Sequence, residues 1–197
     1  MKLIKQLPIF DSTYDHYKGG LAKYNTKLLT FGDHYGNLKT EIMEQSQDGT
    51  LTWSVIDADF AFTDGELMME YSLVTVEPSD NNEEYVLLIG GLKGAYWPEK
   101  LNSVYKFNGT WAPFGQLQYA RFGHRSLFWR EAVYVFGGQY NLTLSGETHA
   151  NFFDGYAKTE VWNLKIFPEH FNTSAQLPHL YEWRHPHLFV IPSAYFI

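Results

Sequence analysis

The chain has no cysteine among its 197 residues, which excludes a disulfide framework and any thiolate metal site while leaving cytosolic and extracellular compartments both open. Basic side chains are few. Fifteen Lys and Arg face 22 Asp and Glu, for a net charge of −7, so the clustered positive charge that phosphate binding requires is absent and a nucleic-acid surface is excluded. No apolar run is long enough to cross a membrane as a helix, and Met1 to Phe10 lacks the apolar core of a secretion signal. No serine stands in a nucleophile elbow, no glycine-rich loop opens a helix, and helical periodicity is scarce. What the chain has in quantity is aromatic residues and glycine: 14 Tyr, 15 Phe, 6 Trp and 16 Gly.

The glycines are not scattered. Val86-Leu87-Leu88-Ile89 ends in Gly90-Gly91, Val133-Tyr134-Val135-Phe136 ends in Gly137-Gly138, and Leu28-Leu29-Thr30-Phe31 ends in Gly32-Asp33. A short apolar run stopped by glycine thus occurs three times, the sign of a repeat architecture. Tryptophans keep step with it: Asp33 to Trp53 and Gly91 to Trp111 are both intervals of 20 residues. Between stop and tryptophan lies another short strand, Lys39 to Met43 in the first unit and Asn102 to Phe107 in the second; Lys158 to Leu164 stands in the third. Upstream of each stop, Gly20-Leu21, Ser72-Leu73 and Ser126-Leu127 mark a further strand. Each unit therefore has four strands. The period is uneven, 58 residues from Gly32 to Gly90 and 47 from Gly90 to Gly137, because turn-forming stretches such as Glu77 to Glu83 and the connection from Gln139 to Ala157 differ in length. A four-stranded unit of about 40–50 residues is the sequence form of a propeller blade.

In this order of apolar strand, glycine pair, third strand and tryptophan the chain resembles the kelch repeats. Tyr85 to Trp111 is the fullest copy; Leu28 to Trp53 has Asp33 in place of the second glycine. The third copy keeps Val133 to Gly138 but has no tryptophan at the fourth-strand position, Trp162 falling in the third strand instead, and its fourth strand is placed around Ser174 to Leu180. Ala120 to His124 resembles the link from one kelch blade into the next. The resemblance covers roughly residues 15 to 180 and implies an all-β, kelch-type β-propeller of about three to four four-stranded antiparallel blades. The repeats are expected at 15–62, 66–119 and 120–180, with a closing strand near 185–197. Glycine at the stops is expected to allow positive φ and close backbone approach, and Trp53 and Trp111 are expected to pack between adjacent blades.

Propellers have about 4–8 blades, and three twisted sheets do not close a ring. The expectation is an incomplete propeller, part of a larger ring or one half of an assembly, with self-association through unclosed blade edges.

No residue pattern demands catalysis, and no catalytic, cofactor or metal residue is assigned. Asp57-Ala58-Asp59, Asp64-Gly65-Glu66 and Asn81-Asn82-Glu83-Glu84 lack the spacing of a calcium loop and read as solvated turns. His185-Pro186-His187 has no third ligand nearby in sequence. His124, between Arg121 and Arg125, reads as satisfied by backbone or carboxylate partners. Sequons occur at Asn108, Asn141 and Asn172, in expected turns. Galactose oxidase is a kelch propeller, but its radical cofactor needs a cysteine that this chain lacks.

The reading that results is a binding module, non-enzymatic and without a cofactor, whose rim loops present aromatic side chains to a protein partner: Tyr96 and Trp97 after the second stop, Tyr140, Phe152 and Phe153 after the third. The alternative is a fragment of a larger propeller protein, with carbohydrate-binding and galactose-oxidase-like types among the options, that has no independent activity.

Overall fold

A computed structural model describes residues 20–32, 38–56, 67–78, 83–94, 99–140, 158–163 and 172–176, with the backbone alone at 139–140, 158, 163 and 172–176. These residues form strands only. Blade 1 is β1 (Leu21–Tyr24), β2 (Lys27–Phe31), β3 (Thr40–Gln45) and β4 (Leu51–Ile56), hydrogen-bonded in that order and antiparallel throughout. Blade 2 is built from β5 (Met68–Met69), β6 (Ser72–Val76), β7 (Tyr85–Lys93), β8 (Glu99–Phe107) and β9 (Trp111–Gln116); β5 and β6 both pair with β7. Blade 3 has β10 (Arg121–Phe122), β11 (Arg125–Trp129), β12 (Ala132–Phe136), β13 (Gln139–Tyr140), β14 (Lys158–Asn163) and β15 (Asn172–Gln176). Its four-stranded sheet runs β11-β12-β14-β15, and β10 pairs with β13 beside it.

Register makes the blades superimposable residue by residue. Ser72 pairs with Ile89 and Arg125 with Phe136, each just before a glycine pair. Val86 pairs with Phe107 and Phe107 with Trp111; in blade 1 the corresponding row is Leu28, Met43, Trp53, and in blade 3 it begins Val133, Trp162. The equal 20-residue spacing of Trp53 and Trp111 is therefore a true equivalence. Trp162 stands where Phe107 does, which is how the third unit manages without a tryptophan at the usual place.

The glycine pairs bend strands rather than stop them. β7 continues through Gly90-Gly91 to Lys93, with a register shift between Ile89 and Gly91. In blade 3 the ladder breaks at Gly137-Gly138 and resumes as β13. All four glycines have positive φ. Space is as decisive as torsion: a Cβ on Gly90 would lie 2.7 Å from the Arg121 carbonyl oxygen, and one on Gly138 2.6 Å from that of Phe122. The first glycine of a pair thus receives the lead-in strand of the following blade, and the second that of its own. Gly32 follows the same rule more loosely, 3.6 Å from the Met68 carbonyl oxygen.

Two apolar clusters fill the two spaces between sheets. One joins Leu29, Phe31 and Ile42 of blade 1 to Val86, Leu88 and Trp111 of blade 2; the other joins Val74, Leu87 and Ile89 of blade 2 to Val133, Val135 and Trp162 of blade 3. Trp111 sits edge-on to Phe31 at 5.2 Å and donates its indole N–H to Thr40 Oγ1 at 2.8 Å, so it packs between blades as expected. Trp53 does not: it is half-exposed, it belongs to neither cluster, and it is the third residue of its strand rather than the first. Its face is the one turned away from blade 2. The fourth strand of blade 3 lies at Asn172–Gln176 rather than Ser174 to Leu180, which puts the Asn172 sequon at a strand start instead of a turn. The expected closing strand at 185–197 and the pair His185, His187 lie outside the described residues.

Candidate functional site

One rim of the sheet stack collects the ends of the second strands. β7 ends at Lys93 and β13 at Tyr140, and register makes these two residues equivalent: Met69 pairs with Leu92 as Phe122 pairs with Gln139. β7 and β13 therefore end at the same level of adjacent blades, before the connections 95–98 and 141–157. These are the connections that hold the aromatic residues singled out from sequence. Tyr96, Trp97, Phe152 and Phe153 lie outside the described residues, and Tyr140 is described by its backbone alone.

The described part of this rim is shaped by the short lead-in strands. Gly94 donates its N–H to the Leu67 carbonyl at 2.8 Å, fixing the chain as it leaves β7. Lys100, entering β8 on the other side of the connection, holds its ammonium 5.5 Å from the centre of the Phe122 ring of blade 3, a cation–π contact across the seam between blades. Partial burial pushes the Lys100 pKa below its ordinary value. The rim between blades 2 and 3 thus carries a platform of Lys100 and Phe122, near Lys93, the residue at which β7 ends.

Beneath the platform lies a buried charge network that sequence reading did not find. Arg121 and Glu160 are both fully buried and pair at 2.5 Å. Arg121 Nη1 also donates to the Gly137 carbonyl at 2.9 Å, and Glu160 accepts the backbone N–H of Gln118 at 2.6 Å and of Tyr119 at 3.4 Å. One carboxylate therefore ties the blade 2 to blade 3 linker to a lead-in strand and a third strand. The sequence signal was thin, a glutamate between Thr159 and Val161 and an arginine 39 residues before it.

The carboxylate goes to Arg121 and not to His124, so of the backbone or carboxylate partners expected from sequence only the backbone acts on the ring, through Ile89. His124 is fully buried, and neither ring nitrogen has a hydrogen bond of ordinary geometry. Burial first, then the guanidiniums of Arg121 and Arg125, hold its pKa well below the usual histidine value; the Ile89 backbone acts weakly in the other direction. The equivalent residue in blade 2 is Tyr71, whose hydroxyl donates to the Phe31 carbonyl of blade 1. His124 faces Ile89, the counterpart of Phe31.

Among the described residues no group of three or more His, Asp or Glu is placed to hold a metal ion, and no helix is long and apolar enough to cross a membrane. The sequon at Asn108 is in the turn between β8 and β9, where its side-chain amide donates to Glu83 at 2.9 Å and its oxygen accepts the Tyr24 hydroxyl.

No family model matches the chain, and no curated protein matches it in sequence. Solved structures do match in shape. One titled "Structure of YjhT", a kelch-type propeller protein, superposes with a TM-score of 0.63 over 86% of this chain and 54% of its own, at 14% sequence identity. This chain spans about half the length of that neighbour. At such identity the likeness concerns the fold alone, and together with the two four-stranded sheets and the five-stranded sheet, all antiparallel, it makes the described architecture that of a β-propeller.

Proposed function

We propose that this chain is a non-enzymatic protein-interaction module, a propeller of kelch-type repeats that presents rim connections to a protein partner. The observation that carries the reading is the equivalence of Lys93 and Tyr140, which brings two aromatic-rich connections out of adjacent blades on one rim. Rigid sheets that hold variable loops suit recognition, and tyrosine and tryptophan are favoured at binding hot spots. The Lys100 and Phe122 platform adds a cationic, aromatic floor that favours an acidic or aromatic segment in the partner.

The test is capture by the full chain compared with two variants. In one, Tyr96, Trp97, Phe152 and Phe153 become Ala; in the other, the opposite rim is altered by Asn108→Ala and Asp48→Ala. A partner retained by native protein and by the opposite-rim variant, but lost by the first, supports the reading. Equal capture by all three overturns it, as would turnover of a primary alcohol or sugar by the purified chain.

A further inference from the structure

The turn that joins β8 to β9 is short, and its chemistry is concentrated in one residue. Asn108, Gly109 and Thr110 span it, and the ladder resumes at once with Phe107 paired to Trp111. Asn108 is the one asparagine of the chain that glycine follows. Gly109 has φ +88°, and a Cβ built on it would meet nothing within 4 Å. The main-chain nitrogen after Asn108 therefore lacks the side-chain bulk that shields this nitrogen after every other asparagine.

The side-chain amide of Asn108 is gripped at both ends, from two blades. The Tyr24 hydroxyl of blade 1 donates to Asn108 Oδ1 at 3.2 Å, and Asn108 Nδ2 donates to a carboxylate oxygen of Glu83, just ahead of β7, at 2.9 Å. The Tyr24 ring is itself seated, edge-on to Phe107 at 5.0 Å and packed against the cluster that joins blades 1 and 2. The Asn108 backbone N–H closes the turn on the Thr110 carbonyl at 3.2 Å. A hydroxyl donated to the amide oxygen draws electron density from Cγ and stabilises negative charge that develops there. A carboxylate in contact with the amide nitrogen can carry a proton to it as it leaves. Displacement of an amide nitrogen calls for these two groups, and the fold sets one on each side of Asn108.

We propose that Asn108 is a site of self-modification at which the folded chain loses ammonia. The Gly109 main-chain nitrogen attacks Asn108 Cγ and gives up its proton; the new Cγ–N bond closes a five-membered succinimide as the Cγ–Nδ2 bond breaks. Tyr24 holds the oxygen charge of the tetrahedral intermediate, and Glu83 relays the proton to Nδ2, which departs as ammonia. Water then opens the ring: attack on the side-chain carbonyl leaves an aspartyl residue, attack on the main-chain carbonyl an isoaspartyl one. The net change is one water taken up and one ammonia released, with no oxidant or reductant. Either product replaces an N–H donor by a carboxylate facing Glu83, so a hydrogen bond becomes a like-charge contact. The isoaspartyl form also lengthens the main chain by one carbon, three residues ahead of Trp111, whose indole N–H is bonded to Thr40 of blade 1. The reaction thus acts on the seam between blades 1 and 2 and stands or falls separately from partner binding.

The experiment is peptide mass spectrometry of the full chain, held folded at neutral pH and sampled over weeks, with circular dichroism as a check of fold. Wild type is expected to accumulate aspartyl and isoaspartyl products at Asn108, while Asn25 and Asn102, followed by Thr26 and Ser103, stay unconverted. Gly109→Ala, in open space, is expected to keep the fold and slow the reaction most. Tyr24→Phe keeps the ring on Phe107, and Glu83→Gln alters an exposed side chain. Each of these two is expected to slow conversion about fivefold, the rate equivalent of one hydrogen bond. An Asn108 that stays intact, an Asn25 or Asn102 that converts as fast, or a rate that either Tyr24→Phe or Glu83→Gln leaves unchanged or raises would each overturn the inference.

Discussion

Blade 2 and blade 3 solve the same packing position in different ways, and exchanging the solutions tests the register on which the fold description rests. Arg121 and Glu160 occupy the positions of Met68 and Tyr105. In blade 2 those two belong to the apolar cluster; in blade 3 they form an ion pair with no solvent exposure. Removing one partner of such a pair leaves a buried charge and costs about 3–5 kcal/mol. For Glu160→Ala the loss of the acceptor for Gln118 and Tyr119 adds to this, by about 1 kcal/mol each where water can reach the freed N–H. The expected total is about 5–7 kcal/mol, a large share of the roughly 5–15 kcal/mol that holds a typical protein folded. Replacing both members by well-packed residues of similar volume is instead neutral or stabilising by about 1–4 kcal/mol. The double variant Arg121→Met, Glu160→Tyr copies the blade 2 solution and is expected to lie within about 2 kcal/mol of wild type, the orphaned linker N–H groups offsetting the relief of desolvation.

The assay is urea unfolding followed by tryptophan fluorescence, with protein concentration held fixed so that any association contributes equally. At a slope of about 2 kcal/mol per molar, Glu160→Ala is expected to lower the midpoint by about 2.5–3.5 M and the double variant by no more than about 1 M. The double-mutant cycle should then show a coupling of at least about 2 kcal/mol. If the double variant is as unstable as the sum of its singles, blade 3 does not pack as blade 2 does at this position and the register equivalence is wrong.

Three further outcomes follow from the same geometry. Gly90→Ala and Gly138→Ala place a methyl within 2.7 Å and 2.6 Å of a carbonyl oxygen at positive φ, and each is expected to cost about 2–5 kcal/mol in urea unfolding, whereas Gly109→Ala, also at positive φ but in open space, should cost only about 1–2 kcal/mol. Trp111→Ala should cost about 3–5 kcal/mol, while Trp53→Ala, at a half-exposed position outside both clusters, should cost only about 1–2 kcal/mol, a contrast that calorimetry would reveal. Because burial and two guanidiniums depress the folded pKa of His124, the unfolded chain takes up that proton first. Stability is then unaffected above about pH 6.5 and falls by about 1.4 kcal/mol per unit below it, until the folded group itself titrates; unfolding curves of His124→Gln should lack this increment, and identical acid profiles for the two proteins would refute the assignment.

The backbone logic of this fold is legible in sequence and the side-chain chemistry much less so. Glycine pairs and the Trp53 and Trp111 spacing locate the blades because they answer to torsion and close approach, constraints that act at fixed offsets along one strand. The continuation of β7 past Gly90-Gly91 was not legible, since a bend and a stop ask for the same residues there. Arg121 and Glu160 meet across 39 residues, and nothing local distinguishes them from a surface arginine and a surface glutamate. The same holds for His124, whose burial comes from the sheet stacked on it. Tyr96, Trp97, Phe152 and Phe153 lie outside the described residues, so the candidate site is known from where their connections leave the sheets.

What alternation along the strands does specify is how many sides of each sheet must be covered. A sheet that faces water on one side carries polar residues there. Blade 1 places Leu21, Leu28, Met43 and Trp53 beside Lys23, Thr30 and Glu41 on the side away from blade 2, while Ala22, Leu29, Phe31 and Ile42 face it. Blade 3 repeats this with Trp129, Tyr134 and Phe136 opposite Val133, Val135 and Trp162. By residue content, both sides of the first and third sheets therefore carry large apolar side chains, a pattern that cover on both sides favours.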